Sequence, residues 1–272
     1  ICNMRKKTGC WIYSIPWFLH NWKMIKVLDK TFAILEAVVL NSPHPLRISV
    51  LAERFGINTG TCARIIRELS DAGYLIQVSR QDGYAAGPRA LAFANAVSYK
   101  PALLEAACPV ADGAARRFEA SVLLAERQGG LRYILYHRNE SPRLAIRLSE
   151  LAFRDLFDTA TGLMLAAFAP EEELPALLDS SGGERFRLLD PARGIREQLA
   201  EIREAKSVVF ADPARGQGIA AFPVFRNGAF LATLGGSIPF DEYAERGAAF
   251  AEGLSRAASE ISKAVSIINT AG

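Results

Sequence analysis

In the stretch GINTGTCARIIRELSDAGYL (56–75), Thr59, Gly60, Thr61, Ala63 and Arg64 fall in the opening turns of a predicted helix. Their types suit contact with a nucleic acid. A threonine hydroxyl bonds a phosphate or a base edge, and its methyl meets a thymine methyl. An arginine takes guanine through two parallel bonds, or takes a phosphate. Gly60 reads nothing but lets backbone come close to a phosphate. Arg67 lies one turn later, placed for phosphate, and Glu68 and Asp71 lie at the far end. Ser49 is expected to cap the preceding helix and touch phosphate.

The residues available for catalysis are few and scattered. The three histidines are His20, His44 and His137, and His137 ends a predicted strand as a solvated or packed side chain. HExxH, GxSxG and CxxC are all missing. GQGIAA (216–221) satisfies G-x-G-x-x-A, but it leads into a predicted strand and so presents no helix N-terminus to a pyrophosphate. Glu171, Glu172 and Glu173 sit in a helix first turn favoured by the macrodipole. The reading is therefore of a protein that is not an enzyme and needs no metal or cofactor.

The elements that must position the reading residues are legible. KVLDKTFAILEAVVLN (26–41) has Val27, Phe32, Ile34, Leu35, Val38 and Val39 mostly on one helical face. ISVLAERFG (48–56) is a short second helix with Leu51, Ala52 and Phe55 inward. The third helix has Asn58 or Thr59 as its N-cap, and Ile65, Ile66 and Leu69 form its buried stripe. YLIQVS (74–79), the turn RQDG and YAAG (84–87) make a hairpin marked by Asp82-Gly83. Arg80 and Gln81 stand at its tip. Three helices and a hairpin in this order form a winged helix-turn-helix.

The pattern changes after Gly87. A linker helix is predicted over 88–100, then a helical region to 120 disturbed at Pro109 and Gly113. Extended runs follow at 121–128, 131–138 and 143–148, with helices at 159–169, 170–178 and 191–205. Three late strands, 207–211, 218–225 and 229–237, precede a long closing helix at 241–268. Mixed but not alternating elements predict α+β, an antiparallel sheet flanked by helices. The domains are read as 24–87, the linker 88–100, and 101–272.

The net charge of +3 is set by the first 23 residues, where Arg5, Lys6, Lys7 and Lys23 meet no acid. The rest balances 28 basic against 29 acidic side chains, basic by two over 24–90 and acidic by three beyond. That asymmetry suits a nucleic-acid-facing first part. Residues 1–23 also hold all three tryptophans and are read as an extension foreign to the fold. Cys62 and Cys108 are isolated, which fits a reduced cytoplasmic protein. No run of about 18 apolar residues occurs, so no membrane span is expected.

VLDKTFAILEAV, ISVLAERFGINTGTCARIIRELSDAGYLIQVSRQDGYAAGPRALAFA and, further on, ARRFEASVLLAERQGGLRYILYHRNESPRLAIRL resemble the IclR-family bacterial transcriptional regulators. DTATGLMLAAFAPEEEL, DPARGQGIAAFPVF and ATLGGSIP fall where that family's pocket motifs fall. The resemblance covers roughly residues 25–268. It implies a C-terminal effector-binding domain with a GAF-like or profilin-like sheet. It further implies a pocket between the curved sheet and the helix starting near Asp158. Backbone N–H groups at Thr159, Ala160, Thr161 and Gly162 can hold a carboxylate there, unless Asp158 or Thr159 caps them. Met164, Phe222 and Leu234 are expected to form an apolar wall. Asp212 is expected to orient a ligand hydroxyl, and Ile219, Ala221, Gly235 and Ser237 to complete the lining.

The chain departs from the family pattern where Gly60 replaces a frequent Ser, Leu163 follows Gly162 in place of Lys, and Ile219 replaces a Cys. LGGSIP keeps only Ser237 of a Ser-rich strand. These changes predict a more apolar, roomier pocket. The resemblance implies a regulator that binds a double-stranded DNA operator as a dimer or dimer of dimers. A small organic acid, aromatic in one form of the reading, would modulate it. A ligand-independent winged-helix repressor or docking module is the alternative.

Overall fold

The computed structural model describes residues 25–144, 150–180 and 188–268. The predicted extension 1–23 and most of the predicted strand 143–148 lie outside the described residues. A first unit ends at Tyr99 and a second begins at Lys100.

The first unit opens with α1 (Lys26–Leu40), α2 (Ile48–Arg54) and α3 (Thr59–Asp71). Ala33, Ile34, Ala37 and Val38 are the buried face of α1. Val27 and Phe32, expected inward, are exposed together with Leu28. The apolar residues of α1 span more than one face, and the face shared with α2 and α3 runs through the smaller side chains. Ile34 and Val38 pack with Leu51, Ile66 and Leu69. The hairpin is β1 (Leu75–Ser79) and β2 (Gly83–Ala86). Leu46 adds a third edge, exchanging two 2.8 Å backbone hydrogen bonds with Tyr84. Gly83 sits at φ +102, and a Cβ there would lie 2.2 Å from the Leu46 carbonyl oxygen. Only glycine closes the hairpin at this point. The unit ends with α4 (Pro88–Ala96), shorter than the 88–100 expected, which buries none of its residues.

The second unit starts with α5 (Pro101–Phe118), which continues through Pro109 without the disturbance expected there. Then come β3 (Ser121–Gln128), β4 (Leu131–Asn139), the short β5 (Ala152–Phe153) and α6 (Ala160–Ala167). α7 (Leu174–Ser180), α8 (Ile195–Ala205), β6 (Val208–Asp212), β7 (Gln217–Arg226), β8 (Ala229–Pro239) and α9 (Phe240–Ile268) complete it. The strands form one antiparallel sheet in the order β5-β4-β3-β8-β7-β6.

Side-chain alternation along each strand gives the sheet two apolar faces. Val122, Leu124, Ala220, Phe222, Val224, Ala232 and Leu234 pack against α5 and α9. Ala125, Ala221 and Val208 pack with Leu163 and Met164 of α6 and Leu199 of α8. Every residue of α6 is buried. A helix apolar on all sides is a core element, here caught between the sheet and α8. Arg203 of α8 donates from Nε to the Ala167 carbonyl at 2.5 Å and so closes the C-terminal end of α6. At the other end, Arg132 of β4 holds Asp155 through Nε–Oδ1 at 2.8 Å and Nη2–Oδ2 at 2.5 Å. Both side chains are largely buried. This two-pronged pair fixes the segment that leads into α6.

Candidate functional site

The reading helix is built by its cap. Asn58 is the N-cap of α3, and its Oδ1 accepts from the Gly60 N–H at 2.7 Å. A Cβ at position 60 would stand 3.1 Å from that same oxygen. Gly60 is thus explained locally: it makes room for the capping side chain, and its N–H is already used. Cys62, Ile65, Ile66 and Leu69 face inward, adding Cys62 to the stripe read in the sequence. Burial pushes the Cys62 thiol pKa up.

The opposite side of α3 exposes Thr59, Gly60, Arg64 and Arg67, with Thr61 and Ala63 half-buried beside them. Among the described residues neither Arg64 nor Arg67 has an ionic partner. At the wing, the Ser79 hydroxyl donates to Asp82 Oδ2 at 2.7 Å and accepts from the Gln81 and Asp82 N–H groups. This tight turn leaves Arg80 and Gln81 exposed at the tip. Ser49 is exposed but does not cap α2, which begins one residue earlier with Arg47 as its N-cap. Arg47 is itself exposed, a cation beside the wing edge that the sequence reading passed over because its role depends on the Leu46–Tyr84 bridge.

In the second unit, strand register sorts the expected pocket residues. One row across the sheet is Asn139, Ser121, Ser237, Ile219 and Phe210. The next row on the same face is His137, Leu123, Gly235, Ala221 and Val208. α6 covers this second row, because a Cβ at Gly235 would stand 2.1 Å from the Thr161 Cγ2. Ile219, Ala221, Gly235 and Ser237 thus share the α6 side of the sheet.

Several expectations are corrected. Phe222 and Leu234 pair with each other and point to the α5–α9 face, so they share no wall with Met164. They sit one residue out of phase with Ala221 and Gly235, and a one-residue step changes the face. Met164 is fully buried inside the α6 core. Gly162 turns toward the chain before the helix, where a Cβ would lie 2.4 Å from the Leu156 carbonyl oxygen. Its N–H is capped by Thr159 Oγ1 at 3.1 Å, and that hydroxyl in turn donates to the Asp155 carbonyl. Capping, the alternative left open above, is what Thr159 does. Ala160 and Thr161 are buried at the start of the helix, and Thr161 fills the space expected over Gly235. Asp212 is buried, and its Oδ1 accepts from the Arg215 N–H at 3.2 Å, which ties it to the β6–β7 turn.

Three polar residues on this face carried no pocket assignment in the sequence. Ser121 is buried, His137 and Asn139 are half-buried, and the Ser121 Oγ lies 2.9 Å from His137 Nε2. Burial lowers the His137 pKa, so the ring is neutral near pH 7. The alternation of β3 and β4 gave their face, but only the order β4-β3-β8 places them beside Ser237. A separate cavity of about 580 Å³ lies between α5 and α9, lined by Val110, Ala114, Phe118, Gly253 and Ala257 with Arg117 and Arg256 among others. It is a groove between helices on the other side of the sheet, and none of the expected pocket residues reaches it. Among the described residues no helix is long and apolar enough to cross a membrane, and no group of His, Cys, Asp and Glu is placed to hold a metal ion.

The family described as "Winged helix-turn-helix DNA-binding" matches residues 28–76. No curated protein matches the sequence. Among solved structures, an IclR homolog from Microbacterium hydrocarbonoxydans complexed with 4-hydroxybenzoate is similar at 19% identity and a TM-score of 0.65, covering 88% of this chain and 98% of its own. The Thermotoga maritima IclR is 20% identical with a TM-score of 0.61, covering 89% and 100%. An IclR transcriptional regulator from Alicyclobacillus acidocaldarius is 18% identical with a TM-score of 0.65, covering 89% and 99%. The resemblance read in the sequence holds in three dimensions: the chain carries a winged helix-turn-helix DNA-binding domain and has the fold of the IclR transcriptional regulators across both of its units.

Proposed function

We propose that this chain is a DNA-binding transcriptional regulator of IclR type, not an enzyme, whose operator binding responds to a small organic acid on the α6 face of the second unit. The observation that carries the DNA reading is the exposed side of α3. Thr59, Thr61, Arg64 and Arg67 stand there, with Arg80 at the wing tip of the same unit. A helix of this kind enters the major groove, and the wing grips neighbouring phosphates. Gly60 and Ala63 let the helix approach closely, and Ser49 and Arg80 take backbone contacts. The exposed Leu91 and Phe93 of α4 and Val27, Leu28 and Phe32 of α1 are apolar faces suited to a homodimer, which would double the DNA contact.

The test is selection of duplexes from a random library, followed by titration of the enriched site against salt. Affinity should fall steeply as salt rises, because phosphate contacts release counterions. Arg64→Ala should cost about 1–3 kcal/mol of binding with an unchanged thermal midpoint. Salt-insensitive binding, or full affinity in that variant, overturns the DNA reading.

The ligand part is supported by the fold and by the 4-hydroxybenzoate found in one structural relative. The packing of Thr161 onto Gly235 favours a second reading, a ligand-independent repressor with a filled pocket. A thermal-shift screen of small organic acids separates the two. A saturable rise in midpoint supports a responsive regulator, and a flat screen supports the constitutive one.

A further inference from the structure

We propose that Arg89, acting on Tyr74, is a positioning residue that clamps α4 to the end of the reading helix and so sets the half-site spacing a dimer accepts on DNA. The proposal rests on the DNA and homodimer readings above, and adds the residue that fixes their geometry.

α4 buries none of its residues, so no core holds its direction. At nine residues it is also too short to be stable by itself. It is held at the corner where α3 passes into β1. There the Gly87 N–H donates to the Tyr74 carbonyl at 2.7 Å, and the Arg89 N–H donates to the Gly73 carbonyl at 3.1 Å. Gly87 permits this approach, because a Cβ at that position would lie 2.4 Å from the Gly73 carbonyl oxygen. These backbone bonds fix a point on the first turn of α4, not a direction.

The direction comes from two side chains. Arg89 Nη1 donates to the Ala72 carbonyl at 3.1 Å, and the guanidinium lies over the Tyr74 ring, 4.9 Å from its centroid. Ala72 is the C-cap of α3, where carbonyls lack helical partners and the helix dipole is negative. Phe93, one turn beyond Arg89, meets the same ring edge-on, with centroids 6.5 Å apart. Tyr74 thus touches α4 at two points one turn apart, and two points set a tilt. Tyr74 is itself fixed, because it packs on the core that holds Ile66, Leu69 and Leu75. Among the described residues Arg89 pairs with no carboxylate, so its charge is committed to this corner.

Two copies joined through α4 carry their reading helices at a separation set by the angle between α4 and α3. DNA presents equivalent major-groove faces about 34–36 Å apart, and one added base pair turns a half-site by roughly a tenth of a turn. A stiff corner therefore accepts one spacing. A loose corner accepts several and binds the best one less tightly, because the dimer no longer arrives in the shape that fits.

The test uses the full chain and fluorescence anisotropy. The probes are the duplex enriched from the random library, one half of it, and versions with one base pair added or removed between the halves. The wild type should bind the full duplex more tightly than its half and lose about tenfold or more on either change of spacing. Arg89→Ala should bind the half duplex within about twofold of wild type, yet lose less than about threefold on the same changes of spacing. Tyr74→Phe keeps the ring face and should keep the wild-type discrimination. Arg89→Lys keeps the charge but not the flat stacking group, and should fall between. A thermal melt of Arg89→Ala, a change at an exposed side chain, checks that the unit is folded. Wild-type discrimination in Arg89→Ala overturns the clamp alone. So does an equal loss on half and full duplexes, which would make Arg89 a direct DNA contact, and so does a wild type indifferent to spacing. A wild type that binds the full duplex no more tightly than its half overturns the homodimer reading and the clamp with it.

Discussion

α3 and α6 begin alike and end in opposite roles. Each opens on threonines and a glycine, Thr59-Gly60-Thr61 in one and Thr159-Ala160-Thr161-Gly162 in the other. Each has a side-chain cap, Asn58 to the Gly60 N–H and Thr159 to the Gly162 N–H. Yet α3 buries one stripe and shows the rest to solvent, while α6 is buried on every side. What differs is the remainder of the helix: TGTCARIIRELSD carries charge at positions between its apolar ones, and ATGLMLAA carries none. The same N-terminal chemistry therefore faces outward in α3, as an exposed surface, and inward in α6, as an anchor packed on the sheet.

The sharpest way to break that contrast is to release the α6 anchor. Arg132→Ala leaves the Asp155 carboxylate largely buried without its two-pronged partner, and loss of one half of a buried pair costs about 3–5 kcal/mol. Replacing both, as Arg132→Met with Asp155→Leu, should recover most of the loss, because the desolvation penalty goes with the pair. Denaturant melts of the three variants check this. A fully stable single variant would mean that the segment before α6 is held by something else.

Gly162→Ala comes next. Its methyl would have to move the Leu156 backbone, which stands 2.4 Å from the Cβ position, and overpacking of this kind costs about 1–3 kcal/mol. The loss should appear in the unfolding of the second unit, and the DNA affinity of the first should stay close to wild type. A melt unchanged from wild type would show that α6 adjusts easily, against its role as an anchor.

His137 gives a smaller, pH-dependent effect. Burial lowers its pKa below 6.5, so as pH falls the unfolded chain takes up the proton first. Its contribution to stability is present above that value and is lost as pH drops from there through the folded-state pKa. His137→Phe should flatten this limb of a midpoint-against-pH curve. An unchanged acid limb would place the ring in water and not against Ser121.

Legibility follows the same division between the two helices. The winged unit was readable because its signals are local: the Asp82-Gly83 turn, the helical stripe of Ile65, Ile66 and Leu69, and the basic residues between them. The α6 face was readable only in part. Ile219 and Ser237 fell on the right face, but Phe222 and Leu234 are one residue from the positions that face α6. Their phase is fixed by which helix lies on which side, a contact made far along the chain. Ser121 and His137 escaped notice because each is ordinary alone, and only the strand order joins them to Ser237. Gly60 carried no local explanation in the sequence, since the side chain that accounts for it is two residues away.

Gly60→Ala is the change with the least expected effect, and it tests that local explanation. Alanine in a helix is favoured over glycine by roughly 0.5–1 kcal/mol. Against this stands the 3.1 Å approach of the new Cβ to Asn58 Oδ1, which weakens a cap of the kind worth about 1 kcal/mol. The two terms oppose and are similar in size, so the melting midpoint should barely move. In Asn58→Ala the cap is already gone, and Gly60→Ala added to that background should stabilise the winged unit by the full propensity difference. Non-additivity of this sign is what a shared cap predicts. Additive behaviour would leave close approach to phosphate as the sole role of Gly60, and DNA affinity of the single variant would then fall while its stability rose.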